Sequence, residues 1–455
     1  MTSLYSINYH TRAHKRDAFI EFIKSLLLNP FVLHTRPSFL AADSEETPEW
    51  EKKFAPATRT QKNSHCGEGE ETQDENVKRY CEVLQCVEEL IYDHILHQRQ
   101  NLIELSRLSA LVPSIGRFFT PLPLRNSFIR QDAKRAIAAR RSVPPSFNDI
   151  RAVLNDAQVT AISSTVKLMT FDGDMTLYAD GANFPPTSSL VRLLITLLHH
   201  GLHIAVVTAA GYPNSPAKYE TRLAGLLTGF RSSSLPAAAL ERFYVMGGEC
   251  NYLFRYDAAR GHLVGVAPEV YEPEAVRRWS TDEGLIAGVL DVAEGALRAG
   301  ASEMKLEGKV DVLRKGRAVG VVPKDGVRLT RETLDEFALT AQRALTSHSL
   351  AQSRSPPATT TTTSTPPPTV PFCAFNGGSD VWVDIGNKLI GVQMLQAFLG
   401  TKGWETLHVG DQFLSTGNDI STRTACCTAW VTNPEETAEI LTELCSLLGA
   451  GEGGK

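Results

Sequence analysis

The stretch Lys167–Gly181, KLMTFDGDMTLYADG, runs a short apolar segment into two aspartates one residue apart, Asp172 and Asp174, with Thr176 two positions on. A four- to eight-residue apolar run bounded by polar residues reads as a buried strand. Two carboxylates this close repel, and each raises the cost of ionising the other unless a cation neutralises them. A few hard oxygen ligands, with room left for water and a phosphate, suit Mg²⁺. Downstream the pattern repeats. SSLVRLLITLLHHG is an amphipathic helix closed by Gly201, and LHIAVVTAAG is a second strand ending at Thr208. Much later, SDVWVDIGNKLIGVQMLQAFLG and ETLHVGDQFLSTGNDIS each run from a strand into a polar loop. Strands alternating with helices predict a parallel sheet, and such sheets collect functional groups at the carboxyl ends of their strands. Those ends would carry Asp172 with Asp174, then Thr208, then Lys388, then Asp411 with Asn418 and Asp419. Each is ordinary alone; in this order they argue for one site.

The fold class expected is therefore α/β, a doubly wound parallel sheet with an inserted α+β cap and a helical N-terminal domain. About 180 residues separate Thr208 from Lys388, far more than a crossover needs. The domain expectation is a helical unit over 1–165, a catalytic core over 166–210 and 380–455, and a cap over 211–379. Within the cap, a Ser/Thr/Pro-rich segment over about 347–371 has the composition of disorder. In the N-terminal unit, Phe19, Ile20, Phe22, Ile23, Leu26 and Leu27 fall at helical spacing, and Pro30 stops the run. Residues 40–72 are polar and acidic with no apolar period, a loop pattern. From about Asp74 to Leu108, a long helix or two in series places Val77, Tyr80, Leu84, Val87 and Ile91 on one face.

Bulk properties narrow the function classes. The 455 residues suggest two or three domains. With 42% hydrophobic and 21% charged residues the balance is that of a globular protein, and the net charge of −5 argues against nucleic-acid binding. No apolar run approaches a membrane span, and no signal-peptide core opens the chain. The eight cysteines are scattered, with no Cys-x-x-Cys spacing, a pattern of reduced thiols that points to the cytoplasm. Arg130, Lys134, Arg135, Arg140 and Arg141 concentrate positive charge outside the sheet. A solvated helix face is one reading; an effector site for a polyanion such as a nucleoside triphosphate is the other.

The Asp172-Gly173-Asp174-Met175-Thr176 pattern resembles the first motif, Asp-x-Asp-x-Thr, of the haloacid-dehalogenase-like phosphohydrolase superfamily. That resemblance implies Asp172 as nucleophile, Asp174 as general acid and base, and Thr208 and Lys388 as holders of the phosphoryl oxygens. It implies Mg²⁺ bound by Asp172, Asp411 and the backbone carbonyl of Asp174. Many members place a second acid four residues after the Gly-Asp of the last motif. Here Asn418 and Asp419 stand seven and eight residues on, so their role, direct ligand or supporting group, stays open. The segments RFFTPLPLRNSFIR, VPPSFNDIR, FYVMGGECNYLFRY and FNGGSDVWVDIGNKLIGVQMLQ are similar to segments of the IMP-specific 5'-nucleotidases. This closer resemblance implies Mg²⁺-dependent hydrolysis of inosine 5'-monophosphate (IMP) in purine nucleotide salvage or catabolism, activation by ATP, and a homotetramer. Asp180 and Arg222 lie near the catalytic strand ends in sequence and are the candidates for substrate binding; exposed loop and helix charge is the other account. Two alternatives remain: a phosphatase for another nucleoside monophosphate or a sugar phosphate, and a catalytically silent nucleotide sensor.

Overall fold

The computed structural model describes residues 17–28, 71–140, 143–213, 215–354 and 369–452. Its central sheet has seven strands in the order β11-β10-β1-β2-β3-β4-β5. These are β1 (Leu168–Phe171), β2 (His203–Val207), β3 (Phe243–Gly247), β4 (Tyr252–Asp257), β5 (His262–Gly265), β10 (Thr406–Gly410) and β11 (Cys427–Trp430). β1 pairs in parallel with β10 on one side and β2 on the other. The chain leaves β1 for β2 in one direction and returns through β10 on the opposite side, so the strand order reverses at β1. A crevice opens at the carboxyl ends of strands at such a switch point. All four residues of β1 are buried, as expected for a strand covered on both faces. The helix Ser189–His199 and the C-terminal helix Pro434–Glu452 cover one face; Lys388–Leu399 covers the other. Burying one Leu or Phe of this kind stabilises the fold by about 1.5–3 kcal/mol.

A second sheet of four antiparallel strands forms the cap in the order β6-β7-β9-β8. It comprises β6 (Val310–Arg314), β7 (Ala318–Pro323), β8 (Phe372–Asn376) and β9 (Val381–Ile385). Two helices, Glu283–Glu303 and Arg331–Arg354, pack on one face against Val319, Val321, Val381, Val383 and Ile385. The alternate residues Trp382 and Asp384 are left facing the crevice.

The sequence boundaries need correction in two places. β3, β4 and β5, placed in the cap by the reading of 211–379, continue the catalytic sheet, so the core runs on to Gly265. β9 belongs to the cap sheet, so the core resumes at Lys388 rather than at Asp380. Both errors share a cause: a strand's own residues do not say which sheet will pair with it. The Ser/Thr/Pro-rich segment also begins later than read, because the helix from Arg331 continues to Arg354. Residues 355–368 of that segment, and nearly all of the polar stretch 40–72, lie outside the described residues.

Among the described residues, the N-terminal part of the chain is helical. Ala18–Leu28, Glu71–Arg99, Leu124–Arg135 and Phe147–Ile162 bury Phe19, Ile23, Leu84, Val87, Ile91, Phe128 and Val153 in one cluster. Ser146 and Asp149 form a reciprocal capping box that starts the last of these helices. The same cluster takes in Phe413 and Trp430 from the catalytic core, so the helical unit rests directly on the loop that follows β10.

Candidate active site

Asp172 is the first residue beyond β1 and Thr208 the first beyond β2; Asp411 follows β10. Lys388 arrives differently from expectation. It is no strand end of the core but the first residue of the helix Lys388–Leu399, whose N-cap is Asn387. The hydrogen bond from the Ile390 backbone to the Asn387 side chain fixes that helix start, and with it the lysine.

Lys388 is fully buried, with Nζ 2.8 Å from Asp172 Oδ1 and 2.7 Å from Asp419 Oδ1. Burial alone would discharge the ammonium, but Asp172, Asp419 and Glu249 together hold its pKa well above the ordinary lysine value. Asp419 Oδ1 also meets His408 Nε2 at 3.0 Å, and its Oδ2 accepts from the Gln412 backbone at 2.9 Å. Burial opposes ionisation of Asp419, yet Lys388 and His408 hold its carboxyl below the usual range. His408 Nδ1 in turn meets Thr170 Oγ1 at 2.8 Å, which fixes the ring from the strand beside it. Gly410 is required here, since a Cβ would stand 2.5 Å from the Asp419 carboxyl carbon.

The carboxyl oxygens of Asp172, Asp411 and Asp419 converge within 4.8 Å of one another. Asp411 Oδ1 is buried without a hydrogen-bond partner, and burial plus the charges of Asp172 and Asp419 push this carboxyl up to about 9. Asn418 Oδ1 is likewise buried and unpartnered. Unsatisfied carboxylate and amide oxygens in so acidic a cluster are a donor set that fits a hard divalent cation. Asp174, half-buried, accepts from the Gly181 backbone at 3.0 Å, and burial pushes its carboxyl above the ordinary value.

The crevice above these groups has a volume of about 820 Å³. Asp172, Asp174, Thr208 and Asn418 line its floor, and Asp180 and Arg222 line its wall, so the substrate-binding candidates are brought to the site. Arg222 donates to the Ala182 carbonyl at 2.9 Å. Thr208 Oγ1 accepts from the Ala210 backbone at 3.1 Å, which opens the turn 208–211 toward the cavity. The cap supplies a roof from Lys315, Arg317, Phe375, Trp382 and Asp384. Lys315 Nζ lies 3.8 Å from the centroid of the Trp382 ring. The ring needs a glycine opposite it: a Cβ on Gly320 would come within 2.5 Å of Trp382.

Several of these residues escaped the sequence reading. Glu249 is fully buried in the turn after β3, with a left-handed φ of 65°, and accepts from Asn418 Nδ2 at 2.9 Å. Its signal was the GGEC turn at a strand end, obscured by assigning β3 to the cap. His408 was visible as a polar residue inside an apolar strand. The cap residues carried no local signal.

The basic cluster does not gather into one patch. Arg130 pairs with Asp156, and Arg140 pairs with Asp149 at 2.7 Å. Lys134 and Arg135 stand 3.8 Å and 3.9 Å from Glu443 and Glu439. Arg141 lies outside the described residues.

Comparison with known proteins places this geometry. A family described as IMP-specific 5'-nucleotidase matches residues 1–441. The chain is 41% identical to IMP-specific 5'-nucleotidase 1 of Yarrowia lipolytica, over 98% of this chain and 97% of that protein. The protein of the same name from Neurospora crassa is 42% identical over 99% of both. Among solved structures, N-terminally truncated, IMP-bound Plasmodium falciparum IMP-nucleotidase is 30% identical, with a TM-score of 0.74 over 98% of this chain and 100% of that chain. An ATP-bound structure of that Plasmodium enzyme is 34% identical, with a TM-score of 0.67 over 80% and 79% of the two chains.

Proposed function

The chain belongs to the IMP-specific 5'-nucleotidase family and is a phosphoric monoester hydrolase of that kind, and we propose that it cleaves IMP through an aspartyl-phosphate with Mg²⁺ bound. The observation that carries this reading is the buried Lys388 bridging Asp172 and Asp419, beside an Asp411 oxygen with no partner. Lys388 and the Gly173 backbone both hold Asp172 Oδ1, so attack falls to Oδ2. An Oδ2–phosphorus bond forms as the phosphorus–O5′ bond breaks, and Asp174 gives its proton to the departing O5′. Its raised affinity for that proton suits the role. Asp174 then takes a proton from water as the water oxygen bonds to phosphorus and the Oδ2–phosphorus bond breaks, which returns Asp172 as a free carboxylate. Thr208 and Lys388 donate to the phosphoryl oxygens throughout. Asp172, Asp411 and the Asp174 carbonyl would hold Mg²⁺, with the unpartnered Asn418 oxygen beside them and Asp419 orienting Lys388; when bound, the ion neutralises phosphate charge.

The roof suggests how the base is read. Phe375 and Trp382 are paired on β8 and β9 and line the cavity together, a surface for a flat purine. Asp180 and Arg222 stand where a ribose hydroxyl or a carbonyl could meet them.

ATP is the proposed activator, supported by the ATP-bound Plasmodium relative. Of the basic cluster, Lys134 and Arg135 have long, exposed pairings and are the members left to meet a polyanion. Family membership also supports a homotetramer with the Glu71–Arg99 helix as the contact to test. The cysteine spacing supports a cytoplasmic location. Among the described residues, no helix is long and apolar enough to cross a membrane.

The test is a phosphate-release panel over nucleoside monophosphates and sugar phosphates, with and without Mg²⁺, chelator and ATP. IMP should lead, chelator should abolish release, and ATP should raise it. Preference for a sugar phosphate or AMP would favour another phosphatase, and binding without release would favour a silent sensor.

A further inference from the structure

We propose that Arg423 is a positioning residue for the loop that carries Asp411, Asn418 and Asp419, and that its ion pair with Asp17 places that loop under the control of the N-terminal helix. The inference rests on the reading of that loop as the metal-binding one. The loop leaves β10 at Asp411 and ends in a 3₁₀ turn, Ile420–Thr424. Arg423 sits in that turn. Its Nη1 lies 2.5 Å from Asp17 Oδ2, and its guanidinium stands 5.0 Å from the centroid of the Phe413 ring. Phe413 is two residues past Asp411, so one side chain ties the end of the loop to its beginning. The Phe413 ring is itself fixed by His408 at 6.2 Å and Trp430 at 6.0 Å, and Trp430 Nε1 donates to the Asp411 carbonyl at 2.9 Å. From Arg423 the constraint passes to its neighbour Thr422, whose Oγ1 donates to the Asp419 carbonyl at 2.7 Å.

Asp17 has two duties. Its Oδ1 accepts from the backbones of Phe19 and Ile20 at 3.0 Å, which starts the helix Ala18–Leu28. Its Oδ2 takes Arg423. A single buried carboxylate therefore sets both the start of that helix and the close of the loop. The opposite side of the loop is held from the cap, where Asp335 Oδ1 accepts from Thr416 Oγ1 at 3.0 Å. The loop is thus clamped between the cap and the helical unit. A cavity of about 110 Å³ is lined in part by Asp17 and Arg423.

Asp17→Asn keeps an N-cap acceptor and removes the charge; Arg423→Gln removes the other partner. With the full-length chain, Mg²⁺ alone is titrated by calorimetry, and the Mg²⁺ half-saturation of IMP hydrolysis is measured alongside. Each single variant should weaken Mg²⁺ binding by about threefold to tenfold, with kcat at saturating Mg²⁺ changed by less than about twofold. The double variant should be no worse than the poorer single, because both remove one interaction. Should Arg423→Gln fail to fold, Asp17→Asn carries the test by itself. A merely structural pair would lower the melting temperature and leave the Mg²⁺ constant alone. Unchanged Mg²⁺ binding in the folded variants, with a Mg²⁺-dependent wild type, overturns this inference and leaves the metal reading standing. Multiplying losses in the double variant overturn it equally. A wild type that binds no Mg²⁺ overturns the metal reading and this inference with it.

Discussion

Lys388→Met removes a buried cation while nearly preserving its volume. Lys388 Nζ sits between Asp172 and Asp419, 2.8 and 2.7 Å away, with no solvent exposure. Breaking a buried ion pair by deleting one partner costs about 3–5 kcal/mol, because the surviving charge keeps its desolvation penalty. Two features place this site near the lower end. Asp419 retains His408 and the Gln412 backbone, and Asp172 retains the Gly173 backbone and can take up a proton. A loss of about 3 kcal/mol corresponds to a melting temperature about 6–12 °C lower for a unit of 150–250 residues. The pH dependence has a definite sign. Burial already pushes Asp172 up against the opposing pull of Lys388, so the substitution raises its folded pKa further above the unfolded value. Between those two values the folded state holds a proton that the unfolded state has released, and stability falls as pH rises. The deficit should therefore be larger at about pH 8 than at about pH 5. Added Mg²⁺ should stabilise both proteins, by about 1.4 kcal/mol for every tenfold excess over each one's dissociation constant, and narrow the deficit to the extent that the variant, with its uncompensated carboxylates, binds the ion more tightly. The assay is thermal unfolding of wild type and variant in chelator and in Mg²⁺ at both pH values. A variant within about 2 °C of wild type in chelator at about pH 8, or one hurt more by acid, would refute the assignment of Lys388 as the charge that balances the site.

Asp172→Asn should lower kcat by at least about a thousandfold while IMP still binds, and retention of more than about a tenth of the wild-type rate would sink covalent catalysis. Without metal the Asp411 carboxyl is pushed up to about 9, so Mg²⁺ must displace its proton at neutral pH. Apparent Mg²⁺ affinity should then rise about tenfold per pH unit towards that value; calorimetry in buffers of different ionisation heat should show about one proton released, and none released contradicts the ligand assignment. Trp382→Ala should raise KM for IMP about tenfold while leaving hydrolysis of ribose 5-phosphate unchanged; equal effects on both substrates would remove Trp382 from base recognition.

What the sequence disclosed and what it withheld divide along a physical line. Asp172, Thr208 and Asp411 were legible because each follows an apolar strand directly, and a parallel sheet places such residues together whatever the rest of the chain does. Lys388 was legible as a residue but not as a position: its strand, β9, obeys the period of two equally well in either sheet, and only pairing with β7 and β8 decides that it serves the cap. The roof was illegible for the same reason. Lys315 on one connection and Trp382 on β9 meet across 67 positions of sequence through a cation–π contact that no local pattern announces. The basic cluster shows the converse failure, since a helical wheel reveals charge but not its partner. Asp149 and Asp156 lie on the next helix, and there they neutralise Arg140 and Arg130. Asp419 gathers these lessons into one residue. Its distance from Asp411 departed from the common motif spacing, and spacing alone left its role undecided. In the fold, the longer loop carries Asp419 back beneath β10, where both oxygens are engaged by Lys388, His408 and the Gln412 backbone. Commitment of both oxygens makes it the group that orients Lys388, and leaves the unpartnered Asp411 oxygen as the one free for the proposed Mg²⁺.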